Sequence, residues 1–137
     1  MYNKITTNVM VGSVNETLDF YERILGFTLV MAVPENSQEI VTTRSANTPL
    51  GFAIIQRDDV ELMLQSRASL SRELPELAGR PVGGAFTLYI QVANVAELYE
   101  SIRNKVTMVK DLHTTFYGVR EFYIRDGNGC VLTFAGK

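Results

Sequence analysis

The sequence repeats one pattern of elements twice, and this internal duplication restricts the fold more than any other feature of the chain. Residues 11–14 (VGSV) in the first half align with residues 92–95 (VANV) in the second half. Residues 62–64 (LML) align in the same way with residues 132–134 (LTF). Because each half begins with a strand and a helix and continues with strands only, the sequence predicts a β-α-β-β-β unit that occurs twice.

Both helices of the repeat carry start signals. Ser13 is followed three residues later by Glu16, and Asn94 is followed at the same distance by Glu97, which is the spacing of a capping box. Apolar side chains then recur at a helical period, and Gly26 is suited to end the first helix. The pattern predicts two helices, over residues 14–25 and 95–105.

Runs of alternating apolar character predict four strands in each half. They cover residues 5–11, 27–33, 51–56 and 60–65, and then residues 86–92, 106–112, 121–125 and 130–134. The stretch between the halves contains a predicted short helix over residues 70–77. We therefore expect a single domain of the α+β class, with module 1 at about residues 1–66, a linker at about 67–83 and module 2 at about 84–137.

Composition and charge argue against several classes of protein. The formal net charge is −2, and Lys and Arg are scattered among Asp and Glu, so no basic surface for nucleic acid is expected. The first residues lack the pattern of a signal peptide, and no apolar run is long enough to span a membrane. We expect a cytoplasmic protein without nucleic-acid or membrane partners. The single cysteine, Cys130, lies in an apolar strand and is predicted to be a buried packing residue.

Two motifs stand out, residues 11–27 (VGSVNETLDFYERILGF) at the opening of the first half and residues 122–134 (FYIRDGNGCVLTF) at the end of the second half. They resemble the vicinal oxygen chelate superfamily, which includes glyoxalase I, extradiol dioxygenases, fosfomycin-resistance transferases and bleomycin-resistance proteins. The resemblance covers nearly the whole chain. It implies that two β-α-β-β-β modules form a curled mixed sheet around a concave trough, with the helices outside.

The resemblance also marks the positions at which that family holds its metal ion. One residue from the first strand and one from the last strand of each module, usually histidine or glutamate, serve as ligands. In this chain those positions hold Thr6, Met63, Thr87 and Thr133. Hydroxyl and thioether groups are poor ligands for divalent ions that prefer carboxylate oxygen or imidazole nitrogen. The chain is therefore similar to the metal-free bleomycin-resistance branch, which implies no metal, no cofactor, a homodimer, and binding of a small molecule instead of catalysis.

Alternation along the strands predicts which side chains line the trough, because fixing one position fixes its neighbours two residues away. The predicted ligand-binding residues are Thr6, Asn8, Glu61, Met63, Gln65, Thr87, Tyr89, Glu121, Tyr123 and Thr133. This set combines amides, carboxylates and aromatic rings, as small-molecule pockets commonly do. Carboxylates close to aromatic rings favour an organic ligand that is cationic or aromatic.

Other functions remain open at this point. A metal-independent lyase or isomerase of the glyoxalase type would use Glu61, Glu121, Tyr123 or His113 in acid-base chemistry, and two close carboxylates would raise the pKa of one of them. A metalloenzyme would need ligands that have moved to Glu61 and Glu121. A third hypothesis is an interaction module whose trough is filled by its own side chains.

The loop over residues 111–118 is expected to lie at the edge of the trough. His113 either contacts a ligand, acts as a base, or is an exposed loop residue, and the sequence leaves these roles open. Phe116 and Tyr117 in the same loop are interpreted as a lid or a dimer contact.

Overall fold

Each half of the chain places a helix against one face of a four-stranded sheet, as the repeated pattern predicts. The computed structural model describes residues 1–137, and it divides into two units, Met1–Val82 and Gly83–Lys137. The first unit contains β1 (Thr7–Val11), α1 (Val14–Arg23), β2 (Thr28–Pro34), β3 (Leu50–Arg57), β4 (Val60–Ser66), α2 (Arg67–Glu73) and a 3₁₀ turn (Pro75–Leu77). The second unit contains β5 (Thr87–Gln91), α3 (Val95–Ile102), β6 (Thr107–Thr114), β7 (Arg120–Arg125) and β8 (Val131–Gly136).

The two sheets have the same topology. The strand order is β1-β4-β3-β2 in the first unit and β5-β8-β7-β6 in the second. In each sheet the first and last strands of the module pair in parallel, and all other neighbours pair antiparallel. The predicted α+β class and the two β-α-β-β-β modules are therefore confirmed. The single-domain organisation stays a prediction.

The predicted capping signals begin the two repeated helices. Ser13 Oγ accepts a hydrogen bond from the Glu16 N–H at 3.1 Å, and Asn94 Oδ1 accepts one from the Glu97 N–H at 3.2 Å. These bonds satisfy N–H groups that the first turn of a helix otherwise leaves unpaired. After α1 the chain turns at Gly26, whose φ of +71° is unfavourable for other residues. None of the helices is long and apolar enough to cross a membrane.

The region between the modules differs from its prediction. Instead of one helix over residues 70–77, α2 begins directly after β4, and a separate 3₁₀ turn follows it. Pro75 explains the interruption, because a residue that precedes proline is driven out of the helical conformation. Leu74 accordingly adopts φ −128° and ψ 79°.

In the first unit α1 packs against β2, β3 and β4 and covers one face of the sheet. Val14, Leu18 and Tyr21 of α1 are at most 1% exposed. Alternate strand residues form the other side of this core: Val9, Val11, Ala53, Ile55, Leu62 and Leu64. A shift of one residue in the pairing would turn this apolar set to the opposite face, so its burial fixes the register.

The second unit repeats this arrangement with α3, which packs against β7 and β8. Tyr99 of α3 meets Phe122 edge-on with ring centroids 5.2 Å apart, and Phe122 stacks on Phe134 at 5.2 Å. Val95 and Ile102 complete the buried face of the helix. We call the other face of each sheet, which points away from α1 or from α3, its distal face.

Cys130 directly precedes β8 and is fully buried, so the predicted packing role is confirmed. Burial and the nearby Asp126 raise the pKa of its thiol to about 12. Asp126 Oδ1 accepts a hydrogen bond from the Cys130 N–H at 3.0 Å and another from the Asn128 N–H at 2.9 Å. The turn between β7 and β8 is therefore held around an aspartate side chain.

Gly136→Ala should destabilise the second unit, because a Cβ at this position would collide with the backbone carbonyl oxygen of Val92. Val92 cannot easily retreat, since its N–H donates to the Ala135 carbonyl oxygen at 2.8 Å. We expect the free energy of unfolding to fall by roughly 1–3 kcal/mol. Gly127→Ala is the matched control, because a Cβ there meets no atom within 4 Å. Its effect should stay within about 0.5 kcal/mol in urea unfolding, and equal effects of the two changes would contradict the predicted collision.

Candidate functional site

Strand alternation places the predicted ligand-binding side chains on the distal faces of the two sheets. In the first sheet Asn8 of β1 pairs with Met63 of β4. In the second sheet Thr133 of β8 pairs with Tyr89 on one side and with Tyr123 on the other. Paired residues point to the same face, so each sheet brings its predicted residues side by side.

Of the remaining predicted residues, all but Thr6 follow from the same alternation. Glu61 and Gln65 lie two positions on either side of Met63, and Glu121 lies two positions before Tyr123. Thr6 immediately precedes β1, and Thr87 is the first residue of β5. Binding of a ligand by these ten residues stays a prediction.

Four polar side chains are joined by hydrogen bonds on the distal face of the second sheet, and we call them the Glu121 cluster: Glu121, Tyr89, Tyr117 and Tyr123. The Tyr89 and Tyr117 hydroxyls each donate to Glu121 Oε2 at 2.9 Å, and the Tyr123 hydroxyl donates to Oε1 at 3.2 Å. Glu121 is only 2% exposed, whereas Tyr89 and Tyr117 are 53% and 55% exposed. The carboxylate is thus enclosed by hydroxyl groups on side chains that are partly open to solvent.

Tyr117 reaches Glu121 from the tight loop between β6 and β7. The Thr115 N–H donates to the Val119 carbonyl oxygen at 2.8 Å, and Gly118 closes the loop with φ +86°. Sequence analysis interpreted Tyr117 as a lid or a dimer contact and missed its hydrogen bond to Glu121. The signal that could have paired them is their separation of four residues across a glycine turn.

Hydrogen bonding decides the charge of the Glu121 cluster. Burial raises the pKa of Glu121, but the three tyrosine hydroxyls and the nearby His113 together lower it by more, so this pKa lies below its usual value. The hydrogen bond to Glu121 raises the pKa of Tyr89 and of Tyr117, and burial together with the same carboxylate raises the pKa of Tyr123. At neutral pH the cluster therefore holds one carboxylate anion and three neutral phenols. A carboxyl group with a lowered pKa is poorly suited to act as a general acid near pH 7.

His113 and Lys110 of β6 lie beside Tyr123. The His113 ring meets the Tyr123 ring edge-on with centroids 5.4 Å apart, and Lys110 Nζ lies 5.9 Å from the Tyr123 ring centroid. His113 Nδ1 is 2.8 Å from the Asp111 carbonyl oxygen, which only accepts hydrogen bonds, so Nδ1 carries the hydrogen. In the neutral ring the lone pair then lies on Nε2.

Glu61 lies in the first unit and has different partners. Lys4 Nζ donates to Glu61 Oε1 at 2.8 Å, and Thr6 Oγ1 is 3.5 Å from the same oxygen. The Lys4 side chain is 58% exposed, so this ion pair contributes little to stability. Sequence analysis did not identify Lys4 as a partner, because it precedes the first strand.

Asn8 and Gln65 are joined on the distal face of the first sheet. Asn8 Nδ2 donates to Gln65 Oε1 at 2.9 Å. Gln65 Nε2 donates to Ser69 Oγ at 2.9 Å and to Glu73 Oε2 at 3.2 Å. Ser69 and Glu73 belong to α2, which lies outside the duplicated pattern, and sequence analysis did not connect them with the site.

The positions that the resemblance marks for metal ligands do not suit a metal ion in this chain. Thr6 and Met63 offer a hydroxyl and a thioether in the first unit, and Thr87 and Thr133 offer hydroxyls in the second. Hard divalent ions prefer carboxylate oxygen, and zinc prefers imidazole or thiolate as well. No three His, Cys, Asp or Glu side chains are grouped so that they could hold a metal ion.

Glu121→Gln should remove a pH-dependent part of the stability. The lowered pKa of Glu121 stabilises the fold above the carboxyl's unfolded pKa of about 4.3, and this contribution is lost as the pH falls through the lower folded pKa. The raised tyrosine pKa values stabilise the fold below about pH 10, and this contribution is lost as the pH rises through the folded values. The free energy of unfolding of the wild type should therefore exceed that of the variant by the largest margin between about pH 5 and pH 9.

Urea unfolding of both proteins at about pH 3, 7 and 11 measures this margin. Glu39→Gln is the matched control, because Glu39 is exposed and its carboxylate has no hydrogen-bond partner in the chain. A margin between wild type and Glu121→Gln that stays constant over this range would contradict the charge assignment.

Comparison with known proteins identifies the family of the chain. The sequence profile of the Glyoxalase/Bleomycin resistance protein/Dioxygenase superfamily matches residues 4–134. A comparison with curated proteins found no match.

Solved structures share the fold at low sequence identity. A protein of unknown function from Agrobacterium tumefaciens str. C58 is 16% identical with a TM-score of 0.75, over 100% of this chain and 95% of that chain. A member of the same superfamily from Sphaerobacter thermophilus DSM 20745 is 18% identical with a TM-score of 0.71, over 100% and 98% of the two chains. A glyoxalase-related enzyme from Fulvimarina pelagi is 14% identical with a TM-score of 0.67, over 100% and 89%, so the superfamily includes enzymes. With nearly its full length matched by the family profile, this chain belongs to the glyoxalase/bleomycin-resistance/dioxygenase superfamily.

Proposed function

We propose that this protein is a metal-independent small-molecule-binding protein that holds an organic ligand by a positively charged group at the Glu121 cluster. The observation that carries the proposal is the buried carboxylate with three tyrosine hydroxyls on its two oxygens. An anion that is kept ionised beside half-exposed aromatic side chains is suited to attract a cation from solvent.

The tyrosine hydroxyls hold Glu121 in its ionised form and in one orientation. A ligand that approaches the cluster therefore meets a fixed negative charge, and little further ordering of Glu121 is needed on binding. Tyr89 and Tyr117 keep about half of their surface exposed, which leaves aromatic surface for contact. A cation over a tyrosine ring gains about 0.5–2 kcal/mol, depending on how far it is desolvated.

Lys110 supports the view that this region accepts an ammonium group. Its Nζ lies 5.9 Å from the centroid of the Tyr123 ring, within the range of a cation–π contact. The chain's own ammonium group thus makes, at Tyr123, the kind of contact that we propose for a ligand at Tyr89 and Tyr117.

Metal independence is proposed from the chemistry of the four ligand positions. Thr6, Met63, Thr87 and Thr133 supply neither carboxylate nor imidazole, and the family's metal chemistry depends on such ligands. The bound molecule would then be held by hydrogen bonds, charge and aromatic contact alone.

The alternative is a glyoxalase-like lyase or isomerase that works without a metal, and His113 is the observation that favours it. The Asp111 carbonyl oxygen fixes the hydrogen on Nδ1, so Nε2 carries the lone pair of the neutral ring and is the nitrogen that would take a proton from a substrate. The hydrogen-bonded Glu121 would then stabilise the protonated ring by its charge.

Choline and 3,3-dimethyl-1-butanol test the proposal, because they have the same shape and differ by one positive charge. We expect the wild type to bind choline about tenfold more tightly than the neutral alcohol, as a cation site should. In Glu121→Gln the preference should fall to about twofold or less, because the neutral amide keeps the shape of the side chain and loses the charge. Chemical-shift titration of Tyr89 and Tyr117 by NMR measures both affinities.

Glu39→Gln serves as the control in this titration, since it removes the same charge from an exposed position in the first unit. It should retain the wild-type preference for choline. Equal affinities of the wild type for the two probes would contradict the proposed cation site.

Protein purified without chelators should contain less than about 0.1 equivalent of zinc, nickel, manganese or iron, because the four ligand positions hold poor donors. Elemental analysis by mass spectrometry measures the content, and saturation with each metal should leave the melting temperature unchanged. A stoichiometric metal, or a metal-induced rise in melting temperature, would overturn metal independence while leaving the cation site to be judged by the choline titration.

A further inference from the structure

We infer that Glu73 fixes the hydrogen-bond polarity of Asn8 and thereby makes the distal face of the first sheet select ligand groups that donate a hydrogen bond. This inference rests on the proposed binding function and names a recognition element on the first unit. It concerns a chain of hydrogen bonds that runs from α2 to β1: Glu73, Gln65 and Asn8, with Ser69 attached.

Glu73 determines which group donates and which accepts in each of these hydrogen bonds. A carboxylate only accepts hydrogen bonds, and Glu73 Oε2 lies 3.2 Å from one end of the Gln65 amide. That end of Gln65 must therefore be the NH₂ group, because an amide oxygen at the same place would face a second acceptor. Ser69 does not oppose this, since a hydroxyl can accept from an amide NH₂ or donate to an amide oxygen.

The orientation of Gln65 determines that of Asn8. With its NH₂ group on Glu73, Gln65 presents Oε1 toward β1, and only an NH₂ group can pair with it there. Asn8 Nδ2 donates to this oxygen at 2.9 Å. Asn8 Oδ1 is then left on the distal face without a donor from the chain, as a hydrogen-bond acceptor of fixed position.

Burial makes the arrangement costly to reverse. Gln65 is 5% exposed, so solvent does little to compensate a flipped amide. A reversed Gln65 would set its amide oxygen against the Glu73 carboxylate, which is a repulsive contact between two acceptors, and Asn8 would have to reverse with it. Glu73 thus acts as a positioning residue for Asn8 although it lies outside the predicted ligand-binding set.

This series of hydrogen bonds from Glu73 to Asn8 has no counterpart in the second unit. The duplicated pattern matches Asn8 with Tyr89 and Gln65 with Ala135. Neither Tyr89 nor Ala135 carries an amide. The ligand chemistry that fits the acceptor is an N–H or O–H group, such as that of an amine, an amide or an alcohol.

The orientation can be tested without any ligand by NMR of the side-chain amides. In the wild type the Gln65 Nε2 protons should show Overhauser contacts to the Ser69 β protons. The Asn8 Nδ2 proton that faces Gln65 should exchange with solvent several-fold more slowly than the amide protons of exposed Asn104. In Glu73→Gln the new amide can donate or accept, so the fixed direction is lost and the Asn8 protons should lose this protection.

Glu76→Gln is the matched control, because Glu76 is exposed, lies three residues from Glu73 and takes part in none of these hydrogen bonds. It should behave as the wild type does. Overhauser contacts from the Gln65 Nε2 protons to Asn8, or unchanged protection of Asn8 in Glu73→Gln, would overturn the inference.

Indole and benzofuran test the selectivity, because they have the same bicyclic shape and only indole donates a hydrogen bond. We expect the wild type and Glu76→Gln to bind indole about five-fold more tightly than benzofuran. In Glu73→Gln the two affinities should differ by about twofold or less. The NMR chemical shift of the Asn8 side-chain carbonyl measures binding of both probes. No response of Asn8 to either probe, or a preference for benzofuran, would overturn the inference. A failed cation preference at Glu121 together with the expected amide orientation would reject the proposed function and leave the assignment of Asn8 standing.

Discussion

The burial of one face of each sheet beneath its helix determines on which face of the sheet every other strand side chain lies. In the second sheet Phe122 packs between Tyr99 and Phe134, and the next residue in either direction must point the other way. A register slip of one residue would bring Glu121 into this aromatic core and expose Phe122, at the cost of burying a charge without partners. Apolar packing on one side of the strand therefore places the carboxylate on the other side. The hydrogen bonds of the Glu121 cluster form there, at a position that the packing of the core determines.

Much of the fold could be predicted from the sequence, because its signals are local and occur twice. Predicted strand ends lie within two residues of the observed ones, and α1 and α3 begin where Ser13 and Asn94 cap them. The prediction was less accurate where the pattern is not repeated. The helix expected over residues 70–77 is divided before Pro75, and α2 begins earlier, directly at the end of β4.

For the candidate site, the sequence could predict on which face of a sheet each strand residue lies, but not which side chains contact one another. Alternation is enough to place Asn8, Gln65, Tyr89 and Glu121 on distal faces, because it depends only on strand geometry. Tyr117 lies in a loop, and Glu73 lies in a helix outside the repeat. The alternation of strand residues does not describe the path of either element, so it could not predict their contacts. The homodimer and the identity of the ligand depend on surfaces and molecules beyond this chain, and they stay predictions.

The surroundings of Cys130 limit the redox chemistry of the chain. Only the thiolate attacks oxidants and alkylating reagents at an appreciable rate, and a fully buried thiol with a pKa of about 12 is almost entirely protonated at physiological pH. Covalent labelling of this sulfur must therefore wait until the turn around Asp126 opens and admits the reagent. The rate of such labelling would therefore measure the local opening of β8, the strand that lies between β5 and β7 in the sheet.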